Sequence, residues 1–344
     1  MELGVYSLTE RTEPTGGTEP TGAAGRAALL DRVRDVIDYG VRADEVGLDA
    51  FGIGEHHTPR FAVASPSVVL AAVAARTSRI TLTSAVSVLS VLDPVRLYQD
   101  FAQLDLVSGG RAEITTGRSA YGEPFDLFGV PVEAIDDVFE EKLELLLGLR
   151  RGTELSWSGR YRTPLQQAVV PPRLDRELPV RIGVGGTRQS AERAGRLGLP
   201  MTLAVLVGDP AGLAPIATAY RAAARQHGHD PSTLSIGSAS HFHVGPTSRE
   251  ARDTFYPHYR AYVADGRGIH LDRETFDAMC APRGPLVVGG PREVADKILR
   301  QREALGIDRF LGQVDIGGLP RATVLESIDR FAADVAPLVR GVTG

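Results

Sequence analysis

Hydrophobic and polar positions follow two alternating regimes along the chain. Short runs rich in β-branched and other apolar residues read as buried parallel strands. They fall at positions 3–8, 50–54, 80–89, 111–116, 179–184, 201–207, 234–244 and 309–316. Between them lie longer stretches with apolar residues every three or four positions, the spacing of an amphipathic helix. Leu30, Val33, Ile37 and Val41 share one such face, as do Phe139, Leu143, Leu146 and Leu147. Val324, Ile328, Phe331, Val335 and Leu338 form the last. Further helices are expected at 67–76, 190–197, 210–226, 249–263 and 291–305, and Asp93-Pro94 gives another an N-cap followed by proline at the first helical position.

Eight strands alternating with helices, with no composition break, predict a single (β/α)8 barrel over 1–344, with loop insertions on the catalytic face. A doubly wound open sheet is the other architecture the alternation allows. Three segments interrupt the pattern. Positions 9–25 form a polar stretch in which Thr-Glu-Pro-Thr-Gly occurs twice, expected as a mobile loop after the first strand. Positions 156–172 include Trp157-Ser158-Gly159-Arg160-Tyr161-Arg162, which suggests a short hairpin. Positions 265–289 separate two helical stretches.

Composition narrows the function. With 344 residues, 43% hydrophobic and 24% charged, the chain can build a large core. A net charge of −5, without a basic run, argues against nucleic acid as a partner. No apolar run approaches the ~20 residues of a membrane span. The start of the chain has no signal-peptide character. A lone cysteine, Cys280, cannot form an internal disulfide, so a cytoplasmic location is expected.

Chemistry concentrates where strands end. Glu55-His56-His57 closes the second strand, where barrel side chains reach the catalytic centre. Histidine titrates near neutral pH and exchanges hydrogen bonds there. The same triplet is open to a structural reading or to metal binding. Adjacent histidines point to opposite sides of an extended strand, however, and His241 and His243, which share a strand face, lack an evident third ligand; no metal is therefore expected. Arg118 stands just past the fourth strand, either a phosphate ligand or a surface arginine. Gly185-Gly186-Thr187-Arg188-Gln189-Ser190 ends the fifth strand and opens a helix, either a phosphate cup or a simple cap. Neither G-K-[ST] nor G-x-G-x-x-G occurs.

Taken in order, Glu55-His56-His57, Asp93-Pro94-Val95-Arg96, Ser108-Gly109-Gly110-Arg111, Gly117-Arg118, Phe125-Asp126-Leu127-Phe128-Gly129, Val184-Gly185-Gly186-Thr187 and Leu197-Gly198-Leu199-Pro200-Met201 resemble the bacterial-luciferase-like flavin monooxygenases. The resemblance runs from Gly4-Val5-Tyr6 to Gly317-Gly318-Leu319-Pro320. It implies that His56, assisted by Glu55 in the same pocket, serves oxygen chemistry beside a flavin. It places Ala85-Val86 at a non-proline cis peptide against the ring, assigns Arg118, Gly185, Gly186, Thr187 and Ser190 to the flavin phosphate, and runs Met201 and the residues after it past the ring. Gly117 stands where luciferases carry a cysteine, which argues against luminescence while leaving flavin binding untouched. The implied activity is an FMN-dependent monooxygenase that takes reduced flavin from a separate reductase and oxidises a small organic substrate as a homodimer. A deazaflavin-dependent reductase or dehydrogenase on the same barrel is the alternative, and a non-catalytic flavin-binding subunit is a further one.

Overall fold

The computed structural model describes residues 1–11, 22–119, 121–152 and 154–343. Positions 12–21, the greater part of the expected loop at 9–25, lie outside them. Gly22–Glu45 is already helix, so the connection ends before position 25.

The barrel strands are β1 (Glu2–Ser7), β2 (Ala50–Ile53), β3 in two pieces (Thr81–Ser84 and Ser87–Val88), β4 (Ala112–Gly117), β5 (Val180–Val184), β6 (Met201–Ala204), β7 (Ile236–Val244) and β8 (Arg309–Gln313). Each pairs in parallel with the next, and β8 returns to β1 with Tyr6 opposite Gln313, closing the ring. The alternating pattern thus resolves as the closed barrel and not the open sheet.

Strand period decides what goes where. Leu3 and Val5, Phe51 and Ile53, Val180 and Ile182, and Met201 and Leu203 face outward and join one continuous core beneath the helices. Beside a small apolar cluster of Tyr6, Ala50 and Leu311, many inward positions are small or polar. Gly4 is one: a Cβ there would lie 2.3 Å from the Ala50 carbonyl oxygen and 2.8 Å from Leu311 Cδ2. At the N-terminal end of the barrel the interior is filled by charge. Arg309 donates from Nη1 to Glu113 Oε1 at 2.6 Å and from Nε to Glu2 Oε2 at 2.5 Å. Arg181 donates to the Met201 carbonyl at 3.0 Å. Small residues higher up, among them Gly52, Gly183, Ala204 and Ala239, leave the C-terminal half open.

Two insertions have structure of their own. Leu155–Trp157 and Leu165–Ala168 form the suggested antiparallel hairpin. It follows a helix and precedes β5, so it lies on the helical flank, where Glu141 accepts from the backbone of Arg160 and Tyr161 and Arg162 donates to Asp93 at 2.7 Å. The segment 265–289 is not an irregular spacer: it contains the helix Arg273–Cys280 and a strand, Val287–Gly289, paired with the upper end of β7. Three residues were too short a run to read as a strand. Lys297 fastens this segment, donating to the carbonyls of Ala281 and Leu286, each at 2.7 Å.

Candidate active site

At the C-terminal end of the strands lies a mostly apolar cavity of about 270 Å³. Of the residues expected at the site, Glu55, His56, Ala85, Val86, Arg118, Gly185 and Ser190 line it.

Glu55 leaves β2 as a buried carboxylate with both oxygens engaged. Oε1 meets His57 Nε2 at 2.8 Å and Oε2 accepts the Val88 N–H at 3.0 Å. His57 packs edge-on against Phe128, with ring centroids 4.9 Å apart. His57 thus steadies Glu55, and Glu55 holds the second piece of β3. Between the two pieces the Ala85–Val86 peptide is cis, and this interrupts what the sequence presents as one run from 80 to 89. Val86 then points between β4 and β5. A Cβ on Gly117 would fall 3.0 Å from Val86 Cγ2, and one on Gly183 2.9 Å from Val86 Cγ1. Glycine at these two positions makes room for Val86.

The His56 ring stacks on Phe61 at 3.8 Å between centroids and meets Tyr121 edge-on at 5.3 Å. Its Nε2 is buried and has no partner. Burial, then the nearby His57 and Arg60, push its pKa down to about 3. This corrects the expectation of an imidazole titrating near neutrality: the aromatic sleeve withholds the water that an imidazolium needs. His56 is a neutral hydrogen-bonding group here.

One end of the cavity brings an arginine to a helix N-terminus. Ser190 opens the first turn of the helix Arg188–Arg196, and Thr187 Oγ1 donates to Ser190 Oγ at 2.9 Å. Arg118 reaches Ser190 Oγ from Nη2 at 3.4 Å and pairs through Nη1 with Asp136. Free backbone N–H groups and the helix dipole add to this positive end. Gly186 and Thr187 frame the turn without lining the cavity. Met201 is a correction. It sits at the start of β6, fully buried among the outward-facing core residues, while Thr202 and Ala204 face the cavity. A one-residue step along a strand changes the face.

Sequence reasoning missed the opposite wall. Tyr6, His241, Tyr262 and Gln313 line it. Tyr6 and Gln313 are hidden as core-like strand positions, and Tyr262 comes from the helix Ser248–Arg267, far away in sequence. His241 was visible only as one of two histidines on a strand face. The structure turns it into the cavity, with Nδ1 3.2 Å from Tyr259 Oη. Arg60 braces this wall: it donates from Nη2 to the Tyr262 carbonyl at 2.9 Å, lies 4.7 Å from the Tyr262 ring centroid, and pairs with Glu10. Glu10 in turn accepts the Gly317 N–H at 2.6 Å. Among the described residues no group of three or more His, Cys, Asp or Glu converges as metal ligands do.

Comparison with known proteins follows this geometry. A sequence model of the family described as luciferase-like monooxygenase matches residues 1–309. The alkanal monooxygenase alpha chain of the Kryptophanaron alfredi symbiont is 24% identical over 335 residues, covering 90% of this chain and 93% of that protein. The F420-dependent glucose-6-phosphate dehydrogenase of Amycolatopsis mediterranei is 31% identical over 173 residues, 48% of this chain and 51% of that protein. Among solved structures, the oxygenating constituent of 3,6-diketocamphane monooxygenase from Pseudomonas putida, in complex with FMN, superposes with a TM-score of 0.76 at 20% identity, covering 98% of both chains. A family match over nine-tenths of the chain, on a closed barrel with its cavity at the C-terminal mouth, shows that the chain belongs to the luciferase-like monooxygenase family.

Proposed function

We propose that this chain is the oxygenase of a two-component, FMN-dependent monooxygenase, using reduced flavin from a separate reductase and O2 to oxidise a small organic substrate. The observation that carries this is the two-ended cavity, with an anion seat at Arg118 and Ser190 and an unpartnered, neutral His56 Nε2 within. The residues fit a flavin phosphate at the first end and a flat ring beside Ala85 and Val86. Bound there, the flavin would supply the activation of dioxygen. The protein's own share is binding, orientation and dryness. Arg118, Ser190 and the helix N-terminus hold the phosphate. Glu55 and His57 fix the wall at Val88. His56 offers a hydrogen bond without carrying a charge. Tyr6, Tyr121 and Tyr262 keep water out. The absence of a dinucleotide fingerprint in the sequence and the solved relative's description as an oxygenating constituent support a separate reductase. A cytoplasmic location is proposed from the buried, unpaired Cys280.

The F420-dependent relative favours one other reading, a deazaflavin-dependent dehydrogenase on the same barrel. Anaerobic titration with reduced FMN, riboflavin and reduced deazaflavin coenzyme separates the two. We expect FMN to bind most tightly, and Arg118→Ala to weaken FMN by roughly 10- to 100-fold, the equivalent of a charge-assisted hydrogen bond of about 1.5–3 kcal/mol, with riboflavin nearly unchanged. Preference for the deazaflavin coenzyme, with substrate turnover in the absence of oxygen, would establish the dehydrogenase instead.

A further inference from the structure

The flavin reading rests on the Arg118–Ser190 end and on Glu55, His56, Ala85 and Val86, and it gives the facing wall no part beyond excluding water. Tyr6, Gln313 and His241 stand in one row on β1, β8 and β7, since Gln313 is in register with both Tyr6 and His241. Tyr6 Oη donates to Gln313 Oε1 at 3.4 Å. Gln313 is 1% exposed, and its Nε2 has no partner. A buried amide N–H without an acceptor is costly, and Gln313 is one of the residues that line the cavity.

The wall also lacks charge. Of the described residues lining the cavity, Glu55 and Arg118 are the charged ones. Both Glu55 oxygens are engaged, and Arg118 lies at the anion end, paired with Asp136. Burial pushes the Tyr6 and Tyr262 phenols up, away from ionisation. Arg60, behind Tyr262, is neutralised by Glu10. An ionic substrate entering here would give up its hydration without meeting a counter-charge, a penalty of several kcal/mol.

We propose, resting on the flavin reading above, that this wall is the substrate side and that Gln313 is its specificity-determining residue. It selects an uncharged, largely apolar molecule with one hydrogen-bond-accepting oxygen, which accepts a hydrogen bond from Nε2. Tyr6, His241 and Tyr262 supply the surrounding surface, and Arg60 positions Tyr262.

Three probes of one shape test this by ligand-observed NMR, with and without bound FMN: acetophenone, its oxygen-free isostere α-methylstyrene, and the anion benzoate. We expect acetophenone to bind at least tenfold more tightly than either of the others. Gln313→Leu should erase the preference over α-methylstyrene while FMN affinity stays within about twofold. Gln313→Met, a second variant should the first fold poorly, also lacks the N–H and should erase the same preference, and thermal melting confirms that each is folded. Benzoate binding as tightly as acetophenone, or a ketone preference that survives Gln313→Leu, overturns the proposal. A wild-type chain that ignores FMN but shows the probe order refutes the flavin reading and leaves the ligand class standing.

Discussion

His56 and His57 are adjacent in sequence yet meet different partners. His57 finds the Glu55 carboxylate, while His56 enters an aromatic sleeve that keeps it neutral. This has a consequence for stability. The folded pKa of His56, about 3, lies below the ordinary 6.5. Between those values the unfolded chain takes up a proton that the folded chain refuses. Stability therefore rises with pH across that window and falls as pH drops through it. His243, held down to about 4 by burial, acts in the same direction. We expect His56→Leu to lose less stability than the parent between pH 7 and pH 5 in urea unfolding; equal losses would show that the site is solvated. In turnover, His56→Ala should keep FMN affinity while product formed per oxygen consumed falls roughly tenfold or more and peroxide release rises. His57→Ala should lower the melting temperature and leave coupling largely intact, and the reverse pattern would exchange their roles. The sequence placed the pair at a strand end, and the resemblance put His56 rather than His57 on the cavity side, where the structure has it. The partners each ring meets, Phe61 and Tyr121 for His56 and Phe128 for His57, were not legible, because they come from other parts of the chain.

The helix Arg188–Arg196, which carries Ser190 to the anion end, is seated on the helix Ala214–Gln226 through small residues. Ala191, Ala194 and Gly195 are buried on the first helix, and Gly195 meets Tyr220, Ala223 and Ala224 of the second. A Cβ on Gly195 would lie 2.2 Å from the Tyr220 carbonyl oxygen and 3.0 Å from the Ala224 nitrogen, both backbone atoms that cannot turn aside. Gly195→Ala must therefore push the helices apart. We expect a loss of about 1–3 kcal/mol or more by denaturant unfolding, together with weaker FMN binding as Ser190 shifts away from Arg118. Unchanged stability would mean that the two helices are not in this close contact. The sequence presented this helix as an amphipathic element after Gly185-Gly186. Its seating is a tertiary fact, created by a partner 25 to 29 residues further on.

At the scale of the whole molecule, the helical shell retains apolar surface. Val68 is 68% exposed on the helix Pro66–Ala74, whose other valines and Leu70 are buried. Leu106 and Val107 are half exposed on the helix Pro94–Ser108. Such surface is what a homodimer through these two helices needs, in keeping with the apolar character of 67–75 in the sequence. Light scattering at micromolar concentration should give twice the chain mass, and Val68→Asp with Leu106→Asp should return it to one. A monomeric parent protein would dispose of this interface. Among the described residues no helix is long and apolar enough to cross a membrane.

The sequence by itself determined the eight-fold alternation, the strand-end placement of Glu55, His56 and Arg118, and the glycine-rich turn before Ser190, because each of these is written in local periodicity and in side chains close along the chain. Ring closure, the inward turn of Thr202 in place of Met201, the neutral state of His56 and the wall of Tyr6, His241, Tyr262 and Gln313 were decided only by the tertiary structure. They depend on register between strands and on burial by residues up to three hundred positions away, and no local pattern encodes what those distant atoms exclude or leave unpaired.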